Sequence, residues 1–260
     1  MNERTLRQAV RGGVLGQQIR WLEVCTSTRD VAPKLLAEEG LPHGAVVIAS
    51  RQTAGRGTPG KAFLSDVAEG VWCTVVLDRP TPEPITLLAG VGVVRALAVC
   101  GFEAHVKWPN DVLVGRLKIA GCLAESGVRP DGTRVHLLSV GVNVLQESFE
   151  GTTLADIATS VRMAGGSATR EEVFGALLEE IETLLAGKEG VRDAWLGHTR
   201  MIGRQIRVKR GGVPECVRVR DLDAHGTLIV EREDGVRERW VSAADLDIET
   251  DYAALDDAGA

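Results

Sequence analysis

The 260-residue sequence has no uninterrupted apolar run that approaches the roughly 20 residues needed to cross a bilayer. Residues 1–16 are polar and carry arginines, so they lack the apolar centre of a secretory signal. The formal net charge of −6 gives no general reason to expect DNA or an anionic membrane as the main partner. We therefore expect a cytoplasmic globular protein, in which any anion site is built locally from a few cations and backbone amides.

The sequence is also poor in patterns that bind metals or form disulfides. Its five cysteines are widely spaced and include no CxxC pair, which indicates reduced core thiols and not a disulfide framework or a zinc site. The five histidines show no HExxH or similar spacing. The P-loop signature GxxxxGK[ST] is absent as well. We expect no metal site built by the protein alone.

Helices and strands are mixed over roughly the first 200 residues. A helix is predicted at 31–39, ended by Gly40, and another at 81–99. A third begins after Thr169, which forms a capping box with Glu172 and precedes apolar residues on one face. Apolar or β-branched runs predict strands at 45–50, 71–77, 106–108, 112–114, 118–125 and 136–144.

The pattern changes near residue 200. Between 203 and 249 polar and apolar residues alternate, with glycine-bearing turns between the runs, which predicts a small antiparallel β-barrel or sandwich. The acidic, alanine-rich stretch from Asp251 predicts a frayed tail. We therefore predict an α+β protein with a large domain over 1–200, in which helices flank a mixed β-sheet, a small β domain over 201–250 and a flexible tail over 251–260.

The first chemically suggestive segment is the glycine loop, residues 52–61. Three glycines within six residues let backbone N–H groups approach a ligand and form a concavity that binds anions. Arg56 adds a guanidinium that can grip a carboxylate or phosphate through two hydrogen bonds, and Lys61 adds a second cation. A flexible surface turn is the alternative interpretation.

The second segment is KWPND, residues 107–111. Pro109 cannot continue a strand ladder, so Lys107 is delivered at a strand end, where sites are often assembled. Asn110 and Asp111 suit the turn that follows. The alternative is an ordinary hairpin in which Lys107 is merely solvated.

Two apolar strands complete the set of segments. In residues 118–125, a leading Lys118 and an internal Gly121 indicate that a group packs closely against the backbone at the glycine. The alternative is a core strand with a charged end. In residues 140–144, Asn143 is a lone polar residue that needs partners, either main chain or ligand.

Together these segments resemble the biotin–protein ligase family. The match covers about residues 20–250, and KWPND joined to KxAG is its most specific part. Residues 26–28 resemble the serine–threonine segment of the family, residues 158–160 its segment near adenine, and the end of the chain its SH3-like domain. The matching segments, in order, are GRG at 55–57, KWPND at 107–111, KIAGCLAE at 118–125 and GVNV at 141–144.

The resemblance implies the biotin–lipoate ligase fold, which is similar to class II synthetases, and a two-step reaction. Biotin and ATP, accompanied by Mg²⁺, form biotinyl-5′-AMP, and biotin is then transferred to a lysine of a biotin carboxyl carrier protein. About 20 residues precede the first site segment, which is short for a three-helix DNA-binding module. We therefore expect the monofunctional type without DNA binding, and a homodimer is a candidate assembly.

The resemblance also implies roles for individual residues. Asp111 is the candidate if the protein contributes a ligand to Mg²⁺, which is held mainly by ATP phosphates. The implied catalytic residues are Arg56, Lys107 and Lys118. The implied biotin-binding residues are Ser27, Thr28, Gln52, Gly55, Arg56, Lys118, Gly121 and Cys122. The implied ATP-binding residues are Arg56, Gly57, Lys61, Lys107, Asn110, Asp111, Asn143, Thr159 and Ser160.

Two departures from the family pattern bear on this hypothesis. Thr58 and Pro59 stand where the family loop commonly has arginines, which affects how tightly the loop retains the adenylate. Arg29 stands where asparagine often follows the Ser–Thr pair, which affects one polar contact near biotin. The alternatives are a lipoate–protein ligase and a biotin-sensing regulator without robust catalysis. The biotin hypothesis requires Arg56, Lys107 and Lys118 to surround one cavity.

Overall fold

The computed structural model of the chain describes residues 1–58, 62–78, 84–243 and 246–248. Its helices are α1 (Glu3–Ala9), α2 (Thr28–Glu39), α3 (Ile85–Val99), α4 (Arg170–Leu185) and α5 (Val191–His198). The strands of the large sheet are β1 (Ile19–Cys25), β2 (Val46–Gln52), β3 (Gly70–Asp78), β4 (His105–Lys107), β5 (Asp111–Val114), β6 (Leu117–Val128) and β7 (Arg134–Asn143). Those of the small sheet are β8 (Gln205–Arg210), β9 (Val213–Leu222), β10 (Leu228–Arg232), β11 (Arg237–Trp240) and β12 (Leu246–Ile248).

The large sheet is mixed, with the strand order β1-β2-β3-β7-β6-β5-β4. Strands β1 and β2 are parallel, and the other neighbouring pairs are antiparallel. The small sheet is antiparallel, with the order β11-β10-β9-β8-β12. The predicted α+β architecture, a large mixed sheet with helices and a small C-terminal β-sheet, is therefore confirmed.

Helices cover both faces of the large sheet. On one face, α3 and α4 contribute to the main apolar core, and α2 packs a smaller core against the other face. Gly92 lets α3 and α4 approach closely, because a Cβ at Gly92 would lie 2.9 Å from Cγ1 of Ile181. The face under α2 is only partly covered, which leaves room for a site beside that helix.

Helix termini follow the predicted signals. The Thr169 hydroxyl accepts a hydrogen bond from the Glu172 backbone N–H (3.2 Å), and the Glu172 carboxylate accepts one from the Thr169 N–H (2.7 Å). The predicted capping box is therefore confirmed. Gly40 ends α2 in the left-handed conformation, with a φ of 64°, and its N–H donates to the Leu36 carbonyl.

The small sheet packs against the KWPND segment of the large one. The Trp108 indole N–H donates to the Gly226 carbonyl (2.9 Å), and the Lys107 ammonium donates to the Ile248 carbonyl (2.7 Å). Gly226 also lies close to the beginning of α3, because a Cβ there would lie 2.6 Å from Cγ of Pro84, the N-cap of that helix. The small sheet therefore reaches the residues predicted to carry chemistry.

Several predicted boundaries differ from the structure. The helix predicted at 31–39 begins earlier, at Thr28, because Ser27 provides its N-cap. The helix predicted at 81–99 is observed from Ile85, and residues 79–83 lie outside the described part. The strand predicted at 106–108 is His105–Lys107. The predicted boundary at residue 200 lies between α5 and β8 and remains a prediction, and the tail at 251–260 lies outside the described residues.

Three elements were not predicted from the sequence: α1, β1 and α5. Residues 1–20 were expected to be a short lead-in, whereas α1 occupies Glu3–Ala9 and β1 begins at Ile19. Strand β1 lies at the edge of the sheet and is only partly buried, so it has no clean apolar alternation. No helix within the described residues is long and apolar enough to span a membrane.

Candidate active site

A cavity of about 780 Å³ lies on the partly covered face of the large sheet. It is bounded by the glycine loop, the KWPND segment, the start of β6, residues 153–157 and strand β12. Arg56, Lys107 and Lys118 all line it, although they come from three separate segments of the chain. The cavity required by the sequence hypothesis is therefore present.

One wall of the cavity is aromatic and rests on glycines. Gly121 and Gly141 are register partners on β6 and β7, and the Phe63 ring lies against both. A Cβ at Gly141 would lie 2.9 Å from two ring atoms, and one at Gly121 would lie 3.2 Å from the ring. Trp72 meets Phe63 edge to face, with centroids 5.6 Å apart. The close approach predicted at Gly121 is thus provided by Phe63 and by Lys118, whose Nζ would lie 3.4 Å from that Cβ.

A small group of buried polar side chains lies near the beginning of α2. Ser27, Thr28 and Gln52 are at most 6% exposed and line the cavity. The Gln52 side-chain oxygen accepts from the Thr28 N–H (2.7 Å), and its nitrogen donates to the Ser65 hydroxyl (2.9 Å). The Ser27 hydroxyl accepts from the Arg29 N–H (3.3 Å). These contacts hold three polar groups in fixed positions beside the apolar wall.

The KWPND segment lines the cavity along its whole length, from Lys107 to Asp111. The Lys107 ammonium is nearly buried and donates to the Ile248 carbonyl, so the alternative of a merely solvated lysine is wrong. The Asn110 carbonyl accepts from the Cys122 N–H (2.8 Å), which ties the turn to β6. Lys107 is thus delivered at the end of β4, as the proline predicts.

Lys118 is positioned by both its backbone and its side chain. Its N–H donates to the Ile157 carbonyl, and its carbonyl accepts from the Thr159 N–H, each at 2.8 Å. Its ammonium lies 2.5 Å from a carboxylate oxygen of Asp111 and 5.8 Å from the centroid of the Phe63 ring. Lys118 therefore stands between the aromatic wall and the KWPND segment.

Arg56 lies at the mouth of the cavity and is 52% exposed. Its guanidinium is hydrogen-bonded to the Asp30 carboxylate, and that contact raises the pKa of Arg56 above its ordinary value. Gly55, one residue earlier, is tightly enclosed, because a Cβ there would lie 2.3 Å from the Phe63 carbonyl oxygen. The loop turn therefore requires glycine at position 55.

The described residues that follow the loop do not form the helix that a dinucleotide-binding turn requires. The spacing of Gly55, Gly57 and Gly60 matches GxGxxG, a pattern that in Rossmann folds leads directly into a helix. Here the next regular element after the loop is strand β3, which begins at Gly70. The spacing alone therefore carries no dinucleotide function in this chain.

Five of the implied site residues do not line the cavity. Asn143 donates from Nδ2 to the Thr159 carbonyl (2.9 Å), and the Ser160 hydroxyl donates to the Gln146 carbonyl (2.5 Å). Cys122 is buried, and burial raises the pKa of its thiol. The residues away from the cavity surface are Gly55, Cys122, Asn143, Thr159 and Ser160. Lys61 lies outside the described residues.

The sequence left open whether the partner of Asn143 is main chain or ligand, and in the structure it is the main chain. Its bond to the carbonyl of Thr159 links β7 to the segment that also bonds the backbone of Lys118. The described contacts give Asn143 and Thr159 a supporting position behind the cavity.

The cavity also includes residues without a recognisable sequence signal. They come from the aromatic wall, from the segment between β7 and α4 and from the small sheet, where local sequence does not indicate a ligand. These residues are Phe63, Trp72, Thr153, Leu154, Ile157, Ala243, Leu246 and Ile248.

Among the described residues, no group of three or more His, Cys, Asp or Glu side chains could hold a metal ion. The described lining of the cavity contains one carboxylate, that of Asp111. Mg²⁺ in nucleotide sites is often bound through one or two carboxylates together with substrate phosphates and water. The residues present therefore fit a magnesium ion that arrives with a nucleotide.

Two family models match the chain. The biotin/lipoate A/B protein ligase family matches residues 21–144, and the biotin protein ligase C terminal domain matches residues 201–245. The biotin–[acetyl-CoA-carboxylase] ligase of Mycobacterium tuberculosis is 32% identical over 95% of both chains. The bifunctional ligase/repressor BirA of Bacillus spizizenii is 30% identical over 95% of this chain and 79% of its own.

Solved structures show the same fold. The biotin protein ligase of Aquifex aeolicus, in complex with biotin and ATP, superposes with a TM-score of 0.74 at 22% identity. That comparison covers 90% of this chain and 99% of the other. Sequence, fold and the arrangement of the cavity agree: the chain belongs to the biotin–protein ligase family of enzymes.

Proposed function

We propose that the chain activates biotin with ATP to form biotinyl-5′-AMP and transfers the biotinyl group to a lysine of a biotin carboxyl carrier protein. The observation that carries this proposal is the convergence of Arg56, Lys107 and Lys118 on one cavity. That cavity also has an apolar, aromatic wall, so it offers both an anion-binding region and an apolar slot. The A. aeolicus relative, whose structure contains biotin and ATP, supports the choice of ligands.

Biotin fits the part of the cavity beside Phe63 and Trp72. Small-molecule sites are mostly apolar and carry a few fixed polar groups that orient the ligand. Ser27, Thr28 and Gln52 are such groups. We assign them, together with the backbone at Gly121, to the ureido ring and tail of biotin. Gly55 and Cys122 support this pocket from behind.

The first step joins two anions. An oxygen of the biotin carboxylate attacks the α-phosphorus of ATP, the bond from that phosphorus to the bridging oxygen breaks, and pyrophosphate leaves. We assign Arg56 and Lys118 to the carboxylate and the α-phosphate, and Lys107 to the neighbouring phosphates. A preorganised donor of this kind typically contributes about 3–4 kcal/mol, or roughly 100- to 1,000-fold in rate.

The second step uses the same groups in a different way. The deprotonated amine of the carrier lysine attacks the carbonyl carbon of the mixed anhydride, and an amide bond forms as the bond from that carbon to the phosphate oxygen breaks. AMP leaves, and the nitrogen releases one proton to solvent. Lys118 and Arg56 stabilise the charge that returns to the phosphate of AMP. Magnesium, when bound, adds charge neutralisation at the phosphates, and Asp111 is the residue that would contact it.

The remaining ATP-binding assignments are also proposals. Gly57 and Asn110 line the cavity, and Lys61 belongs to the same loop in sequence. Asn143 and Thr159 act indirectly, because Thr159 bonds the backbone of Lys118 and Asn143 bonds Thr159. Ser160, whose hydroxyl donates to the Gln146 carbonyl, supports the same segment. The cytoplasmic location, the absence of DNA binding and the homodimer remain predictions from the sequence.

The proposed function is tested by incubating the chain with biotin, ATP, Mg²⁺ and a biotin carboxyl carrier domain, followed by streptavidin detection. Labelled carrier is expected only when ATP is present and the acceptor lysine is intact. A parallel pyrophosphate-release assay compares biotin with lipoate, because the matching family model includes lipoate ligases. If pyrophosphate is released with lipoate but not with biotin, lipoate replaces biotin as the assigned substrate. If biotin binds but is not turned over, the chain is better described as a biotin-sensing regulator.

A further inference from the structure

Arg29, at the beginning of α2, holds a carboxylate on the large sheet. Its Nε lies 3.0 Å from Oε2 of Glu125, and its Nη2 lies 2.8 Å from Oε1, so the contact is bidentate. The Arg29 side chain is 9% exposed, whereas Glu125 on β6 is 40% exposed. A guanidinium gripped along one edge by a carboxylate has a fixed plane and therefore a fixed direction for its remaining donors.

The remaining donors of Arg29 point at the glycine loop. Its Nη1 donates to the Gly57 carbonyl and lies 3.3 Å from the Arg56 carbonyl. Asp30, the next residue on α2, binds the Arg56 guanidinium. The first turn of α2 thus holds the loop at two points. Arg29 binds the loop backbone, and Asp30 binds the side chain of Arg56.

Bonds to these two carbonyls also orient two amide groups. In a trans peptide, the C=O and the following N–H point in opposite directions. Because the carbonyls of Arg56 and Gly57 face Arg29, the N–H groups of Gly57 and Thr58 point away from it. The bridge between Arg56 and Ala62 and the bond from the Phe63 N–H to the Gly55 carbonyl hold one side of the turn. Glycine at position 57 imposes few steric limits of its own, so the contact with Arg29 adds a restraint on the peptides that follow Arg56 and Gly57. A loop that binds an anion through N–H groups depends on such an orientation.

We propose that Arg29 is a positioning residue that, anchored by Glu125, fixes the loop backbone at Arg56 and Gly57 and thereby slows release of the acyl adenylate. Arg29 acts through the loop and takes no part in bond making. The second part of this proposal, slower release of the adenylate, rests on the proposed ligase function. The first part, ordering of the loop by Arg29, concerns the ligand-free protein and does not depend on that function.

The first test is limited proteolysis of the full chain without ligands. Trypsin cleaves after Arg56, and mass spectrometry of the fragment that begins at Gly57 reports that single site. We expect Arg29→Gln and Arg29→Lys to raise its cleavage rate about tenfold. A lysine keeps the charge beside Glu125 but cannot grip the carboxylate and bond two carbonyls at once.

The second test measures dissociation of biotinyl-5′-AMP formed on the enzyme, by a chase with unlabelled biotin and ATP. We expect the Arg29 variants to release the adenylate about tenfold faster. The matched control is Arg20→Gln, which removes another arginine–glutamate pair, between Arg20 on β1 and Glu39 at the end of α2. Arg20 makes no described contact with the loop, so both rates should stay within twofold of wild type.

The proposal is overturned if both Arg29 variants match Arg20→Gln in the two measurements. It is also overturned if cleavage rises equally at all tryptic sites, because that pattern reports global unfolding and not release of the loop. If the wild-type chain forms no adenylate, the proposed function fails, whereas cleavage after Arg56 still decides whether Arg29 orders the loop.

Discussion

The ammonium of Lys118 lies 2.5 Å from a carboxylate oxygen of Asp111, and both side chains line the same cavity. The lysine begins the KxAG segment and the aspartate ends KWPND, so this contact joins the two most specific sequence motifs. A carboxylate beside the lysine holds the direction of its ammonium group. The pair is partly exposed, so its contribution to folding stability is expected to be small.

Lys118→Ala should therefore leave the protein folded but abolish most adenylate formation. We expect the rate of pyrophosphate release to fall about 100- to 1,000-fold, the usual effect of removing one preorganised donor. Lys188→Ala, which removes an exposed lysine after α4, is the control and should behave as wild type. Release at the wild-type rate from Lys118→Ala would remove Lys118 from the catalytic residues.

Gly141→Ala should block the apolar slot. Its new Cβ would lie 2.9 Å from two atoms of the Phe63 ring, which must then move. The displaced ring would narrow the apolar slot, so biotin binding measured by calorimetry should weaken, by roughly tenfold if the lost contact is worth about 1.4 kcal/mol. Overpacking of this kind also typically costs about 1–3 kcal/mol of folding stability. Gly197→Ala on α5 adds a methyl with no atom within 4 Å and serves as the control. Equal affinity of the two variants would contradict a ligand beside Phe63.

Trp108→Phe should loosen the contact between the two sheets. It removes the indole donor from the partly buried Gly226 carbonyl, and the loss of such a hydrogen bond typically costs about 0.5–1.5 kcal/mol. The control is Trp21→Phe, because the Trp21 indole N–H has no hydrogen-bond partner among the described residues. Urea denaturation should show a larger loss of unfolding free energy for Trp108→Phe. An equal loss in the two variants would mean that the hydrogen bond from Trp108 to Gly226 does not contribute to the free energy of unfolding.

His105 should make the protein sensitive to acid. It is buried, and neither ring nitrogen has a hydrogen-bond partner among the described residues. Burial, followed by Arg200 and Arg204, lowers the pKa of His105 to about 4. Between about pH 6.5 and 4 the unfolded chain therefore binds the extra proton, so stability is lost as pH falls, by up to about 1.4 kcal/mol per pH unit.

Chemical denaturation at pH 7, 6, 5 and 4 measures this effect. His105→Phe removes the titrating group, so its stability should fall less steeply than that of wild type across this range. His225→Phe, in an exposed turn, should leave the slope of the wild type unchanged. Parallel curves for wild type and His105→Phe would show that His105 does not contribute to the acid response.

The elements predicted from the sequence are those whose signals are local. The capping box of Thr169, the stop at Gly40 and the β-branched run that forms β3 depend on neighbouring residues, so they could be identified without tertiary contacts. Strand β1 could not, because its place beside β2 comes from parallel pairing with a distant segment. Helix α5 is short, at eight residues, and gives little periodic signal.

The site divides in the same way. The KWPND and KIAG segments are ordered motifs, so Lys107, Asp111 and Lys118 could be named from sequence. Phe63 could not, because its place depends on two glycines in different strands that come into register only in the sheet. Nor could Arg29 be paired with Glu125, because 96 residues separate them along the chain.

The amino-acid sequence by itself determined the α+β class, because propensity and capping act over short distances along the chain, and it determined the family through the order of its motifs. Only the tertiary structure decided which groups share the cavity, how β12 reaches Lys107 and which residue holds the loop. The physical reason is that a site for two anions needs cations that approach through space, and folding alone sets those distances.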